Sequence, residues 1–214
     1  IFGGTPSLSR QGLGSIATLM LNVAAGAFGD AAIAGMSIVT RISFFTYAMV
    51  IGLGQGFQPL CGFCYGAKLY GRVKEAFFFC IKCGTVFLSV CALLGFIFST
   101  SIISIFRDDA AVVAVGSVAL RWQVLSFPLV ASIVLTNMLM QTIRKPVRAN
   151  IVAAARSGLF FIPLIFILPY FFGLLGVEMC QMWADCCSFA VAVPIAWSAF
   201  RDMRREQMEL GKSH

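Results

Sequence analysis

The chain has 214 residues, of which 59% are hydrophobic and only 12% are charged, and its formal net charge is +7 at pH 7. Soluble domains carry about 25% charged residues and about 45–50% apolar ones. The composition therefore excludes an intrinsically disordered chain and a small disulfide scaffold. It indicates an integral membrane protein whose first partner is the lipid bilayer, and the basic excess does not require nucleic acid as a partner.

Runs without charged residues divide the chain into six predicted transmembrane helices. A helix rising 1.5 Å per residue needs roughly 20 residues to cross about 30 Å of hydrocarbon. In chain order the predicted spans are 7–28, 31–65, 73–98, 109–143, 149–172 and 177–200. We expect an all-α, polytopic fold in which residues 1–200 form one six-helix lobe, followed by a basic cytoplasmic tail over 201–214.

The predicted helix ends coincide with residues that typically start or stop helices. Thr5 followed by Pro6 predicts the first helix start, and Gly29 followed by Asp30 predicts the first turn. Asp108 and Asp109 lie at the start of the fourth predicted helix, where negative charge suits the helix dipole. The second and fourth predicted helices exceed one bilayer crossing, so we expect them to tilt, bend or protrude.

The basic residues predict the orientation. With six spans, the two chain ends and the turns after the second and fourth helices share one face. That face holds Arg10, Lys68, Arg72, Lys74, Arg144, Lys145, Arg148, Arg201, Arg204, Arg205 and Lys212. The opposite face holds Arg107 alone, so both ends of the chain are predicted to be cytoplasmic.

The chain begins with Ile1 rather than Met, and we expect it to be a piece of a longer protein. A six-helix unit with both ends in the cytoplasm is the size of one half of a twelve-helix transporter. Such transporters contain two parallel halves related by an axis along the membrane normal.

Five stretches together resemble one family of transporters. They are residues 6–12 (PSLSRQG), 52–60 (GLGQGFQPL), 62–68 (GFCYGAK), 155–164 (ARSGLFFIPL) and 183–185 (WAD). The chain resembles the C-terminal lobe of the multidrug and toxic compound extrusion (MATE) transporters, about helices seven to twelve, in their bacterial multidrug-efflux branch. The second and third stretches are the specific part of this resemblance.

The resemblance implies a function and partners. It implies the C-terminal half of an antiporter that exports cationic, amphipathic drugs and other xenobiotics in exchange for H⁺ or Na⁺. It also implies a location in the plasma (inner) membrane of a bacterium. The partner of this segment would be an N-terminal six-helix lobe of the same protein. Residues 11–29 and 122–143 lack the acidic residues that many members use for coupling, while Cys64 and Ser157 replace the usual Asn and Gln. The coupling ion would therefore bind mainly in the N-terminal lobe, and no other cofactor is expected.

Charged residues inside the predicted spans are the first candidates for the ion or substrate pathway, because a charge costs at least about 2.5–3.5 kcal/mol there. Asp185 is the only acid predicted to lie deep in a span. It either titrates during transport or forms a static ion pair, with Arg41 or Arg121 as its partner. Arg156 and Lys82 are expected to extend towards the cytoplasmic interface.

Neutral polar residues on apolar helices form a second set, Asn22, Gln55, Gln58, Asn137 and Gln141, of which the last four are pathway candidates. They would either face a cavity and bind substrate or water, or hydrogen-bond a neighbouring helix. Asn137 and Gln141 lie four residues apart and share a helix face. Met36, Tyr47, Met138 and Met140 suit a pocket for flat cations through cation–π contacts and adaptable packing.

Patterns that resemble metal or catalytic motifs are interpreted as structural. Cys61, Cys64, Cys80 and Cys83 have zinc-ribbon spacing, but both pairs fall on apolar helices, so we interpret them as packing residues and expect no metal site. The chain contains neither a P-loop nor a G-x-S-x-G sequence, and its single histidine is terminal. These observations predict that the protein is not an enzyme.

A second function stays open at this point. A flippase for lipid-linked oligosaccharides or peptidoglycan precursors has a related fold. It would favour a cavity with several arginines that hold a pyrophosphate. Arg41, Arg121 and Arg156 are the residues that support this alternative.

Overall fold

The computed structural model describes residues 5–213, except for the side chains of residues 5–7, 9, 10 and 157. The side chains of Thr5 and Pro6, which predict the first helix start, therefore lie outside the described part of the chain. The same holds for the side chain of Arg10, which belongs to the predicted basic face, and for His214. The described helices are α1 (Thr5–Gly26), α2 (Asp30–Gly66), α3 (Tyr70–Ile97), α4 (Ser99–Phe106), α5 (Ala110–Thr142), α6 (Pro146–Ala154), α7 (Phe161–Phe172) and α8 (Leu174–Lys212), with a π-helical turn (Ala155–Leu159) between α6 and α7. No β-strand occurs in residues 5–213, and the all-α prediction is confirmed.

Four of the described helices are long and apolar enough to cross a membrane by themselves, namely α2, α3, α5 and α8. α1 runs for 22 residues but carries several glycines and polar residues. The predicted span 149–172 is divided among α6, the π turn and α7, none of which reaches that length separately. The bounds of the six predicted spans therefore stay predictions.

α5 is the central helix of the bundle. It packs against α2, α3, α4, α6 and α8, and buried residues occur around its whole circumference. A helix that is apolar on all sides is stable only when other elements surround it. Asp109 caps its start by accepting a hydrogen bond from the Ala111 backbone N–H at 3.0 Å, as the acidic pair predicts. The helix continues without interruption through Pro128.

The turns after α2 and α5 have the same construction. Lys68 and Arg144 both adopt a φ of 58°. In each turn the next residue donates its N–H to a carbonyl five residues back, Leu69 to Cys64 at 2.8 Å and Lys145 to Met140 at 3.0 Å. These bonds are those of a Schellman motif, which satisfies the last carbonyls of a helix.

Both turns lie beside the end of α8. Lys145 and Arg148 form salt bridges with Asp202 at 2.7 and 3.0 Å, and the Tyr70 hydroxyl donates to Glu206 at 2.7 Å. α8 continues as a helix to Lys212, so most of the predicted tail is helical. The contacts gather the basic turns and the end of α8 at one end of the bundle.

The junction between α7 and α8 is a close helix contact. Gly173 adopts a φ of 64° and connects the two helices. Gly176 then lies so close to the backbone of α7 that an added Cβ would fall 2.7 Å from the Pro169 nitrogen and closer still to the Leu168 carbonyl. The absence of a side chain at this position lets the start of α8 pack directly on α7.

The exterior of the bundle is strongly apolar. Large hydrophobic side chains are exposed along every long helix, including Phe45 and Phe63 on α2, Phe79 on α3 and Trp197 on α8. Continuous apolar surface on this scale is unstable in water and requires lipid or another protein surface to cover it.

The cavity and the Asp185 network

An open cavity of about 450 Å³ lies between α1, α2, α5, α8 and the segment that contains the π turn. This volume lies within the range typical of small-molecule sites, about 300–1,000 Å³. Its polar lining consists of Gln11, Thr18, Thr40, Ser43, Tyr47, Gln123, Asn137, Arg156 and Gln181, and Met36, Phe44 and Phe161 are among its apolar lining residues. Among the described residues that line it, Arg156 is the only one with a charge.

Asp185 lies behind the cavity wall with none of its side chain exposed. Its Oδ2 accepts a hydrogen bond from the Ser126 hydroxyl at 3.0 Å, and its Oδ1 accepts one from the Gln181 amide at 2.9 Å. The Arg156 Nε is 3.7 Å from Oδ1. A buried carboxylate is stable only with such donors and a cation nearby.

Arg156 and Tyr47 complete the network. The guanidinium of Arg156 lies over the Tyr47 ring, 4.7 Å from its centroid. The Tyr47 hydroxyl accepts a hydrogen bond from the Gln123 amide at 2.8 Å. The Ser126 hydroxyl shares its one proton between Asp185 Oδ2 and the backbone carbonyl of Gln123, which is 2.8 Å away. Through Gln123, the aromatic ring and the carboxylate therefore belong to one connected polar cluster.

The predicted partners of Asp185 are wrong. Arg41 is exposed, and Arg121 donates to the Ser99 hydroxyl at 3.0 Å and lies over the Phe96 ring. Helix geometry explains the outcome for Arg41. Tyr47 faces the network, and at 100° per residue Arg41 lies about 120° away from it on a different face of α2.

The prediction that Arg156 reaches the cytoplasmic interface is also wrong. Its side chain is only 24% exposed and points to the Asp185 carboxylate. An arginine can satisfy its charge inside the bundle when a carboxylate and an aromatic face lie within reach, and both are present here.

The remaining predicted pathway residues lie in different places. Asn137 lines the cavity, but its amide donates to the Ala149 carbonyl at 2.7 Å and accepts from Gln141 at 2.8 Å. Asn137 therefore connects α5 to α6, while Gln141 does not reach the cavity. Gln55 is exposed and Gln58 is half-buried, and neither lines the cavity.

The methionines and cysteines that the sequence singles out also lie in different environments. Met36 and Tyr47 line the cavity, whereas Met138 and Met140 pack in the core. Cys61, Cys64 and Cys80 are buried in a packing cluster with Phe57 and Phe77, and Cys83 is exposed. No group of three metal-ligating side chains occurs in the part of the chain that the structure describes.

Sequence reasoning missed three residues on the same face of α8 as Asp185. Glu178, Gln181 and Ser188 lie seven and four residues before Asp185 and three after it, which are the spacings of one helix face. Glu178 is only 6% exposed and is a second buried acid. The spacing was visible in the sequence, and a search for polar residues at helical intervals would have found this face.

An all-helical bundle with membrane-length apolar helices is the architecture of a polytopic membrane protein. Residues 6–167 match the family model MatE. The chain belongs to the MatE family, which is a family of transporters, as the five sequence stretches predict.

Relatives and solved structures agree with this assignment. The multidrug export protein MepA of Staphylococcus saprophyticus is 27% identical over 195 residues, which are 91% of this chain and 43% of that protein. MepA of Staphylococcus aureus strain N315 is 29% identical over the same shares. The Vibrio cholerae MATE transporter VcmN, in its bent form, has a TM-score of 0.87 at 19% identity, and the match covers 93% of this chain and 45% of that one. The chain therefore spans about half the length of the relatives it matches and has the fold of one MATE lobe.

The geometry does not support the flippase alternative. That alternative favours a cavity with several arginines, and of Arg41, Arg121 and Arg156 only Arg156 lines the cavity. Arg156 is moreover paired with Asp185 and lies on the Tyr47 ring. In this half of the protein a pyrophosphate would meet only one guanidinium, and the charge of that guanidinium is already balanced by Asp185.

Proposed function

We propose that the full-length protein exports cationic, amphipathic drugs and other xenobiotics across the plasma membrane of a bacterium, and that this chain is its C-terminal lobe. The observation that carries the proposal is a drug-sized cavity inside the segment that resembles MepA multidrug export proteins over 91% of its length. The cavity combines apolar walls with an aromatic face and neutral hydrogen-bonding groups. A wall of this kind binds varied flat cations without requiring one particular substrate.

We further propose that H⁺ or Na⁺ drives this export and that the ion binds mainly in the N-terminal lobe. In the described part of this lobe, no carboxylate lines the cavity, since Asp185 lies behind Arg156. An acid that is already paired with an arginine is a weaker ligand for a coupling ion than an unpaired one. Of the two roles that the sequence left open for Asp185, we therefore choose an ion-paired carboxylate that keeps a cation beside it, rather than one that titrates during transport.

The proposed orientation places both ends of the chain in the cytoplasm. The structure supports a shared location for the basic turns, because Lys145 and Arg148 contact Asp202 near the end of α8. The positive-inside rule assigns that end to the cytoplasm. Labelling of a single cysteine at Val147, in a variant without native cysteines, should require permeabilised cells; labelling in intact cells would reverse the orientation.

The function is tested with ethidium in cells that express the full-length protein. Expression should lower ethidium accumulation, and an uncoupler should restore it. The cavity is tested with Gly14→Phe, because Gly14 lines the cavity and an added Cβ there meets nothing within 4 Å. The new ring should fill the cavity and abolish efflux.

Gly12→Phe is the matched control for the cavity test. Gly12 lies on the same helix, also has open space for a Cβ and does not line the cavity. This variant should export ethidium like the parent protein. Equal loss in both variants would show that the effect comes from α1 rather than from the cavity.

A further inference from the structure

Arg156 occupies the position that a bound organic cation would take. Its guanidinium lies 4.7 Å from the centroid of the Tyr47 ring, and its Nε is 3.7 Å from Asp185 Oδ1. An aromatic face next to a carboxylate is the environment that proteins use to bind ammonium and guanidinium groups. The lobe therefore contains a cation site that is filled by one of its own side chains.

The cation site is built without help from its occupant. Ser126 and Gln181 already donate to both carboxylate oxygens of Asp185, and Gln123 fixes the Tyr47 hydroxyl. By contrast, the Arg156 Nε is buried without a hydrogen-bond partner in the described part of the chain. The walls of the site are thus more firmly held than the guanidinium that fills it.

Arg156 also belongs to a different structural unit from the walls. It lies in the π turn Ala155–Leu159, whereas Tyr47, Ser126 and Asp185 lie on α2, α5 and α8. Turns of this type carry one residue more than an α-helical turn and occur frequently at functional sites. A change in this turn can move Arg156 while the walls stay in place.

The cavity adjoins the Arg156–Asp185 pair and offers a ligand both space and the hydroxyl of Ser43. Arg156 lines the cavity, and Asp185 becomes accessible from the cavity only when the guanidinium moves. Ser43 lines the same wall one turn from Tyr47, and its hydroxyl is buried without a partner among the described residues. This hydroxyl is available to a ligand or to the displaced guanidinium.

We propose that Tyr47, Asp185 and Gln181 form a binding site for a monovalent organic cation, and that Arg156 is the competitor a ligand displaces. The ligand class is an ammonium or guanidinium group attached to a flat apolar body. That this ligand is an exported compound rests on the proposed function; the existence of the site does not. Arg156 is a positioning residue here, because it acts by filling or vacating the site.

Chemical rescue tests the proposal on the purified full-length protein. Arg156→Ala should lower the Tm, and about 10 mM methylguanidinium should raise the Tm of this variant by roughly 2–3 °C, as expected for a ligand that binds with millimolar affinity. The same addition should leave the parent protein unchanged, because Arg156 fills its site. Binding of phenylguanidinium to Arg156→Ala should be about tenfold tighter than to the parent protein, since no internal competitor remains.

Two variants serve as controls. In Arg156→Ala/Asp185→Asn the carboxylate is missing, so methylguanidinium should have no effect. Arg121→Ala removes another intramembrane arginine that lies over a phenylalanine but has no carboxylate partner in the described part of the chain, and rescue should fail there too. Rescue in either control, or its absence in Arg156→Ala, would overturn the proposal.

The test stays decisive if Arg156→Ala does not survive extraction. The readout is then the yield of monodisperse protein extracted with or without methylguanidinium, and Arg156→Lys is measured for phenylguanidinium binding. A shorter ammonium without stacking should compete less well, so binding should still tighten; unchanged yield and unchanged binding would overturn the site. Ethidium efflux by the parent protein is scored separately, so a failed function and a failed site remain distinguishable.

Discussion

The Arg156–Asp185 pair makes an asymmetric prediction about stability. Asp185 is fully buried, whereas the Arg156 side chain is 24% exposed to the cavity. Arg156→Met keeps much of the side-chain volume but leaves the carboxylate without its cation. Removal of one partner of a buried pair costs about 3–5 kcal/mol, and we expect a value in this range.

Asp185→Asn should cost less, about 1–3 kcal/mol. The guanidinium that loses its partner can turn towards the cavity and be hydrated, which places its cost between that of a buried and an exposed pair. The asparagine oxygen can also keep one of the hydrogen bonds from Ser126 and Gln181. The expected order of the two free-energy costs therefore follows directly from how deeply each remaining charged side chain is buried.

The double variant Arg156→Met/Asp185→Asn should recover much of the loss, because it leaves no unpaired charge. We expect a coupling energy of about 2–3 kcal/mol, as found for residues in direct contact. The assay is the free energy of unfolding of the full-length protein in mixed detergent micelles titrated with SDS. If Asp185→Asn costs more than Arg156→Met, or if the two effects add within about 0.5 kcal/mol, the argument from a buried ion pair is refuted.

Three further predictions use the same unfolding assay. Gly176→Ala should lower the unfolding free energy by about 1–3 kcal/mol, because its methyl group would overlap the backbone of α7; Gly52→Ala has open space and should gain up to about 1 kcal/mol. Asn137→Leu should cost about 1–3 kcal/mol, since it leaves a backbone carbonyl of α6 and the amide of its α5 neighbour without their partner; no loss would show that the bond between α5 and α6 carries no stability. A hydrogen bond from Lys145 lowers the pKa of Asp202, so the stability from this carboxylate is present above about pH 4 and is lost as the pH falls through the lowered value. Asp202→Asn should therefore be less stable by under about 1 kcal/mol at pH 7 and should lose less stability than the parent protein between pH 5 and pH 2; identical acid limbs would contradict this role.

Charge and helix punctuation predicted the long helices because they act locally. Gly29, Asp30 and Asp109 lie where the sequence predicts helix ends, since a left-handed glycine and a capping carboxylate depend on a few neighbouring residues. The break after Ile97 and the π turn had no such signal. Both interrupt apolar runs whose local preference is for a continuous helix, so packing against other helices decides them.

The candidate site was also predictable from the sequence only in part. Asp185 was predictable because an acid deep in an apolar run is costly wherever the helix lies. Its partner was not predictable, because the arginine that reaches it depends on how α2, α5, α8 and the π turn are arranged. The sequence favours Arg41 over Arg156 as the partner, yet Arg41 is exposed and Arg156 lies beside Asp185.

The electrostatics of the pair suit the exchange of one cation for another. With Arg156 in place, the network around Asp185 carries one positive and one negative charge. If an exported monovalent cation takes the position of the guanidinium, the charge next to the carboxylate is unchanged, and the buried group is never left unpaired, which would cost several kcal/mol. A ligand without a positive charge would have to leave the carboxylate uncompensated, so the lobe would discriminate against it by charge before shape or size mattered. The same carboxylate that stabilises the lobe in the absence of ligand would thus determine the sign of the charge on the compounds it binds.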